Sequence, residues 1–191
     1  MSTLWRPSLV LLALFTALTG LAYPLLVTAV AQAAWPAAAN GSLLRRGERV
    51  VGSAWIGQPF DDPRYVWSRP SATTPFAYNA AASAGSNLGP LNPALREAVA
   101  ARVRALRAAD PGNDAPVPVD LVTASASGLD PELSVAGALY QAPRVARARG
   151  LPAERLRELV QRSVLPRWLG VFGEPRVNVL RLNLALDAVR E

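Results

Sequence analysis

Residues 7–34 read PSLVLLALFTALTGLAYPLLVTAVAQAA, and no charged side chain interrupts them. The uncharged run extends further, through the 38 residues that separate Arg6 from Arg45. Its densest part, Leu9 to Val30, is 22 residues long. At about 1.5 Å of rise per residue, such a helix covers about 33 Å, enough to cross a hydrocarbon core of about 30 Å. Gly20 and Pro24 fall inside it, and both are tolerated in membrane helices, where freed backbone groups find new partners. The expectation is a single transmembrane helix at Leu9 to Val30, within an N-terminal segment of residues 1–34. A cleaved signal peptide is the competing reading, with Arg6 as its charged region and Ala31-Gln32-Ala33 as a small-x-small cleavage site. Signal cores run about 7–15 residues, and this one is longer. The positive-inside rule gives no clean vote, because Arg6 flanks one end and Arg45, Arg46 and Arg49 lie beyond the other. The short tail and signal-like layout favour a cytoplasmic N-terminus with the remaining chain outside.

Composition removes several chemistries. There is no cysteine and no histidine, so disulfides, thiolate metal sites and the usual triad base are excluded. All 20 basic residues are arginine. A P-loop and a Ser-Lys hydrolase both need a lysine and are excluded with it. The net charge of +6 raises nucleic acid or anionic lipid as partners. The arginines, however, are spread along the chain without aromatic interleaving, and nucleic-acid binding is not expected.

Residues 35–49 read as a juxtamembrane connector, with Trp35 and Pro36 suited to the interfacial belt. Asn40-Gly41-Ser42 is a turn that also satisfies the glycosylation pattern. Residues 50–191 are the right size for one domain, and the mixture of elements gives an α+β fold. Val50 to Ile56, Tyr65 to Trp67, Val117 to Thr123 and Arg176 to Leu186 are predicted strands. The last, apolar on both phases, is placed at the centre of the sheet. Ser68 to Asn92 is a long polar loop, a length usually associated with function. Within it Arg69, Ser71, Ser86 and Asn87 are candidate interface residues offering neutral oxygens. Asn92-Pro93 predicts a helix start, with Leu95, Val99, Val103 and Leu106 on one stripe. Asp130 and Pro131 read as N-cap and first position of a helix running through Tyr140. Pro143 predicts a kink or fresh start, Gly150 a C-cap, and Pro152 a further helix. Gln141, Arg144 and Arg147 would share a face. Asp120 and Asp130 could pair as a glycosidase dyad, but no aromatic sugar platform accompanies them and structural roles are favoured for both.

Taken together, ordered motifs carry a resemblance. They are Tyr23-Pro24-Leu25-Leu26, Asn40-Gly41-Ser42-Leu43, Gly52-Ser53 with Ile56-Gly57-Gln58, Arg69-Pro70-Ser71-Ala72 and Gly85-Ser86-Asn87-Leu88. Further along come Val117 to Ser125, Ser127-Gly128-Leu129-Asp130, Gln141 with Arg144-Val145-Ala146, Gly173 to Val179, and Leu182 to Asp187. From end to end the chain resembles the C subunit of the potassium-transporting P-type ATPase, the Kdp complex. One departure is Val164-Leu165-Pro166-Arg167, where many members carry Thr-Glu-Gly-Arg. The resemblance implies a non-catalytic accessory subunit, single-pass in the bacterial inner membrane, with an extracytoplasmic domain. It implies three partners: a channel-like K⁺-translocating subunit, an ATP-hydrolysing subunit and a small stabilising subunit. It also implies ATP, since the family is described as a catalytic chaperone in which a glutamine matching Gln141 raises nucleotide affinity; no tightly bound cofactor is expected. An external domain conflicts with that role. Two other classes compete. A membrane-anchored ligand-binding sensor would use the Ser68–Asn92 loop, though few residues precede the apolar run to carry an output. A tethered hydrolase would have only Asp120, Asp130 or Glu132 as base.

Overall fold

The computed structural model describes residues 4–189. The chain divides into two compact units, residues 1–51 and 52–191, each considered by itself.

In the first unit a 30-residue helix runs Trp5–Ala34, and none of its side chains is buried. It is longer than the expected Leu9–Val30 and is built of α1 (Trp5–Ala17), one π turn (Leu18–Ala22) and α2 (Tyr23–Ala34). The π turn has a local cause. Pro24 has no N–H to give the carbonyl of Gly20, and its ring would crowd that carbonyl in a regular α-turn, so the helix widens there. Two hydroxyls in the apolar run are satisfied within the helix: Ser8 Oγ donates to Leu4 O (2.8 Å) and Thr19 Oγ1 to Phe15 O (2.6 Å). That is what a lipid environment demands of polar groups. The segment read as a connector is more ordered than expected. It holds α3 (Pro36–Ala39), and Asn40 forms the expected turn while its carboxamide pairs with that of Gln32 (2.9 Å). A hairpin of β1 (Leu43–Arg46) and β2 (Arg49–Ser53) follows, turning at Gly47 with φ +62°. The predicted strand at Val50–Ile56 is thus partly realised, with its pairing partner in the supposed connector.

The second unit is α+β. The helix α4 (Pro93–Ala109) starts as predicted, with Asn92 Oδ1 accepting from Ala94 N (3.0 Å). A small antiparallel sheet, in the order β3-β5-β4, joins β3 (Glu132–Ser134), β4 (Val164–Leu165) and β5 (Arg176–Asn178). Leu133 and Val164 both pair with Val177, which has no exposed surface. Over this sheet lies α5 (Val135–Arg149), next to α6 (Ala153–Arg162), and α6 in turn contacts α7 (Val179–Ala188). The core gathers Leu133, Val145, Leu156, Val160, Leu182 and Leu186, all 2% exposed or less. Each such side chain contributes about 1.5–3 kcal/mol of burial.

Four expectations need correction. Arg176–Leu186 is not one strand: only Arg176–Asn178 pairs, at the sheet centre, and α7 begins at Val179. The buried positions Val179, Leu182, Asn183 and Leu186 are spaced i, i+3, i+4, i+7, a helical face. Val117–Thr123 is not a strand; its middle, Val119–Leu121, is a 3₁₀ turn after Pro118. Asp130 is not a helix N-cap and Pro131 is not a first helical position. Asp130 Oδ1 does accept from Glu132 N (3.0 Å), but residues 132–134 pair with β5. The cap belongs to Ser134, whose Oγ accepts from Gly137 N (2.9 Å). Tyr65–Trp67 is not a strand and belongs to no sheet; a turn bond from Tyr65 N to Asp62 O (3.0 Å) leads into it. Two further expectations met the structure differently. Pro143 makes no fresh start, since α5 runs unbroken through it, clamped by buried residues on both sides. Gly150 ends α5 in the left-handed conformation (φ +66°), as its C-cap reading required.

Candidate functional site

The Tyr65–Trp67 segment is held by side chains that imitate a neighbouring strand. Asn183, on α7, accepts from Val66 N and donates to Val66 O, both at 2.9 Å. Gln141, on α5, accepts from Trp67 N (2.8 Å) and donates to Trp67 O (3.1 Å). Two carboxamides from different helices therefore supply the ladder bonds that a strand would give. Val66 between them is fully buried.

Gln141 is the residue for which the resemblance implied a link to nucleotide, and its surroundings define what it can do. It is 1% exposed. Besides Trp67, its Nε2 donates to Gly137 O (3.3 Å) and its Oε1 accepts from Arg144 Nη2 (2.8 Å). Every donor and acceptor direction of the carboxamide is committed to this chain. Arg144 extends the clamp, donating to Pro63 O (2.8 Å) and Tyr65 O (3.1 Å) while stacking 4.3 Å from the Trp67 ring. Burial draws its pKa down to about 10. Arg149, five residues on, repeats the pattern, binding Asp187 (2.9 Å) and stacking on Tyr65. Arg147 does not join Gln141 and Arg144; it forms an ion pair with buried Asp110.

The long loop is stitched down at one end and free at the other. Arg69 Nη1 donates to Asp130 Oδ2 (3.0 Å), and its Nε to Thr123 O (3.3 Å). Ser71 Oγ donates to Gly128 O (2.7 Å) and accepts from Tyr78 N (2.9 Å). Gly128 is required here. Its φ is +67°, and a Cβ would meet Thr73 Cγ2 at 2.5 Å and Ala84 O at 2.6 Å. Arg69 and Ser71 are thus fastened into the fold. Ser86 and Asn87 stand in the exposed part of the same loop, Asn87 with φ +50°. Asp120 Oδ2 accepts from Ser134 N (2.7 Å), so both carboxylates of the considered dyad have structural partners. Among the described residues, no group of three or more His, Cys, Asp or Glu side chains is arranged to hold a metal.

Sequence reasoning missed Asn183 and Asn178. The latter caps α7, accepting from Arg181 N (3.0 Å), and donates to Ala54 O (2.8 Å). A buried-phase asparagine in an otherwise apolar run is the signal that could have exposed both.

The motif order, the apolar helix and the α+β unit agree with what comparison finds. The family model described as "KdpC: K+-transporting ATPase, c chain" matches residues 5–188. The potassium-transporting ATPase KdpC subunit of Sorangium cellulosum is 67% identical over 185 residues, 97% of each chain. That of Polaromonas naphthalenivorans is 63% identical over 190 residues, 100% of this chain and 97% of its own. The chain belongs to the KdpC family, the C subunits of the K⁺-transporting ATPase.

Proposed function

We propose that this chain is a non-catalytic accessory subunit of an ATP-driven potassium uptake pump in a bacterial inner membrane. Its apolar helix crosses the bilayer once with the N-terminus in the cytoplasm, and the α+β unit works on the outside. There it supports assembly with a channel-like K⁺-translocating subunit, an ATP-hydrolysing subunit and a small stabilising subunit. The exposed Ser86-Asn87 part of its loop presents neutral oxygens near the ion entrance, which suit K⁺ that must enter and leave quickly.

The observation that supports this reading over a nucleotide-handling one is the state of Gln141. A residue that sensed ATP would need a free donor or acceptor. This carboxamide is buried and spends its bonds on Trp67, Gly137 and Arg144. Its chemistry is that of a fold clamp. The test is a titration of turnover against ATP and K⁺ in one preparation of pump carrying Gln141→Ala. Fewer assembled complexes, each with unchanged KM for ATP, is the expected result. A selective rise in KM for ATP, with K⁺ dependence intact, would overturn the proposal and favour the chaperone role.

A further inference from the structure

Between β4 and β5 the chain runs out into a hairpin whose tip is almost wholly apolar. Trp168, Leu169, Val171 and Phe172 are 68%, 72%, 70% and 59% exposed. Four large apolar side chains in five residues, all open to solvent, are costly to leave in water. Core packing does not account for them, since none belongs to the buried cluster or to the partly buried residues packed against it.

The tip is built to leave water. Trp168 and Phe172 exchange backbone bonds, each N–H donating to the other's carbonyl at 2.9 Å. Gly170 N donates to Arg167 O (3.1 Å) and Val171 N to Trp168 O (3.2 Å). The turn thus pairs the N–H groups of Trp168, Gly170, Val171 and Phe172 within itself, as hydrocarbon requires of donors. The rings of Trp168 and Phe172 lie 5.6 Å apart. The acid near the tip, Glu174, is neutralised by Arg167 (2.5 Å).

The base of the hairpin is cationic. A cavity of about 450 Å³ there is lined by Trp55, Leu165, Arg167, Trp168, Arg176 and Arg181, among others. Arg176 is paired with Glu132 (2.6 Å). Arg181 is exposed, and its guanidinium has no side-chain partner among the described residues. An apolar tip beside Trp55 and the unpaired Arg181 is a grouping suited to a bilayer surface.

We propose that residues 168–172 insert into the outer part of a bilayer rich in anionic lipid, with Arg181 meeting lipid phosphates. Four neighbouring large apolar side chains, each more than half exposed, call for cover over the whole turn. Acyl chains cover all sides, and Arg181, the base arginine without a carboxylate partner among the described residues, complements a negative headgroup. The proposal rests on the reading that the apolar helix anchors the chain in a membrane.

The chain has no native cysteine, so Val171→Cys carries a single nitroxide cleanly. The full-length labelled protein is placed in phosphatidylcholine nanodiscs with and without phosphatidylglycerol. The same label at Glu97→Cys, on the exposed side of α4, is the reference. The ratio of oxygen to nickel-chelate collisions should rise several-fold at position 171 over position 97. Phosphatidylglycerol should increase the difference, and Arg181→Gln should remove that increase. Water-like collisions at 171 in discs that hold the chain would overturn the insertion alone. A chain that elutes free of the discs would overturn the anchor as well. A ratio indifferent to phosphatidylglycerol would overturn the headgroup contact. Protection of 171 that appears only when the other pump subunits are added would overturn the lipid assignment in favour of a protein seat.

Discussion

Replacing Gln141 with alanine removes the side chain that stands in for a strand beside Trp67. Besides a second bond to the helix carbonyl of Gly137, three polar groups then lose a partner: the N–H and carbonyl of Trp67, and one N–H of Arg144. At a site 1% exposed, water replaces them poorly. Each unpaired buried group costs about 1–3 kcal/mol, so the sum over three is about 3–9 kcal/mol. That is a large share of the roughly 5–15 kcal/mol that holds a typical domain. The loss would propagate, because Arg144 also fastens Pro63 and Tyr65. Thermal melting of the full-length protein in mild detergent, followed by near-ultraviolet circular dichroism, measures it. A midpoint lowered by about 10 °C or more is expected, at several degrees per kcal/mol. Gln141→Met, which keeps volume and loses the bonds, should fall nearly as far. A loss below about 1 kcal/mol in both variants would refute the clamp and return Gln141 to the free side chains.

Asn178→Ala should cost about 2–4 kcal/mol, because it removes the α7 cap and leaves Ala54 O unpaired; urea unfolding of the same protein reads it. Asp130→Ala should lower stability by about 1–2 kcal/mol through loss of its turn bond and the part-exposed Arg69 pair, with turnover per assembled complex unchanged. A large turnover loss at unchanged melting temperature would contradict that. Burial pushes the Tyr78 hydroxyl up to about 12. The unfolded chain loses this proton near pH 10 and the folded chain near 12, so the unfolded state binds fewer protons in between. Stability should therefore fall as pH rises from about 10 to about 12, and Tyr78→Phe should flatten that slope in melting curves taken across the window.

Legibility in the sequence followed the range of the forces. The membrane-length helix, the Asn92 cap with Pro93, and Gly150 at the end of α5 are local features, and each was readable. The α7 segment was misread because apolar residues on both strand phases also suit a buried helix. Asn178, whose side chain starts that helix, was the overlooked discriminator. Tyr65–Trp67 was misread as a strand because its backbone partners are side chains 74 and 117 residues away, which no local pattern announces. The candidate loop divided for the same reason. Arg69 and Ser71 answer to Asp130 and Gly128, across the fold, and only Ser86 and Asn87 keep the exposure expected of them.

The placement of the α+β unit outside the membrane is tested most directly at Asn87, on the exposed loop of a chain without cysteine. Asn87→Cys in intact cells is exposed to a maleimide that cannot cross the inner membrane, after the outer layers are made permeable. An external domain gives full labelling before lysis and no increase after it. Labelling that appears only once the inner membrane is broken would put the domain in the cytoplasm, beside ATP, and contradict the proposed function at its base.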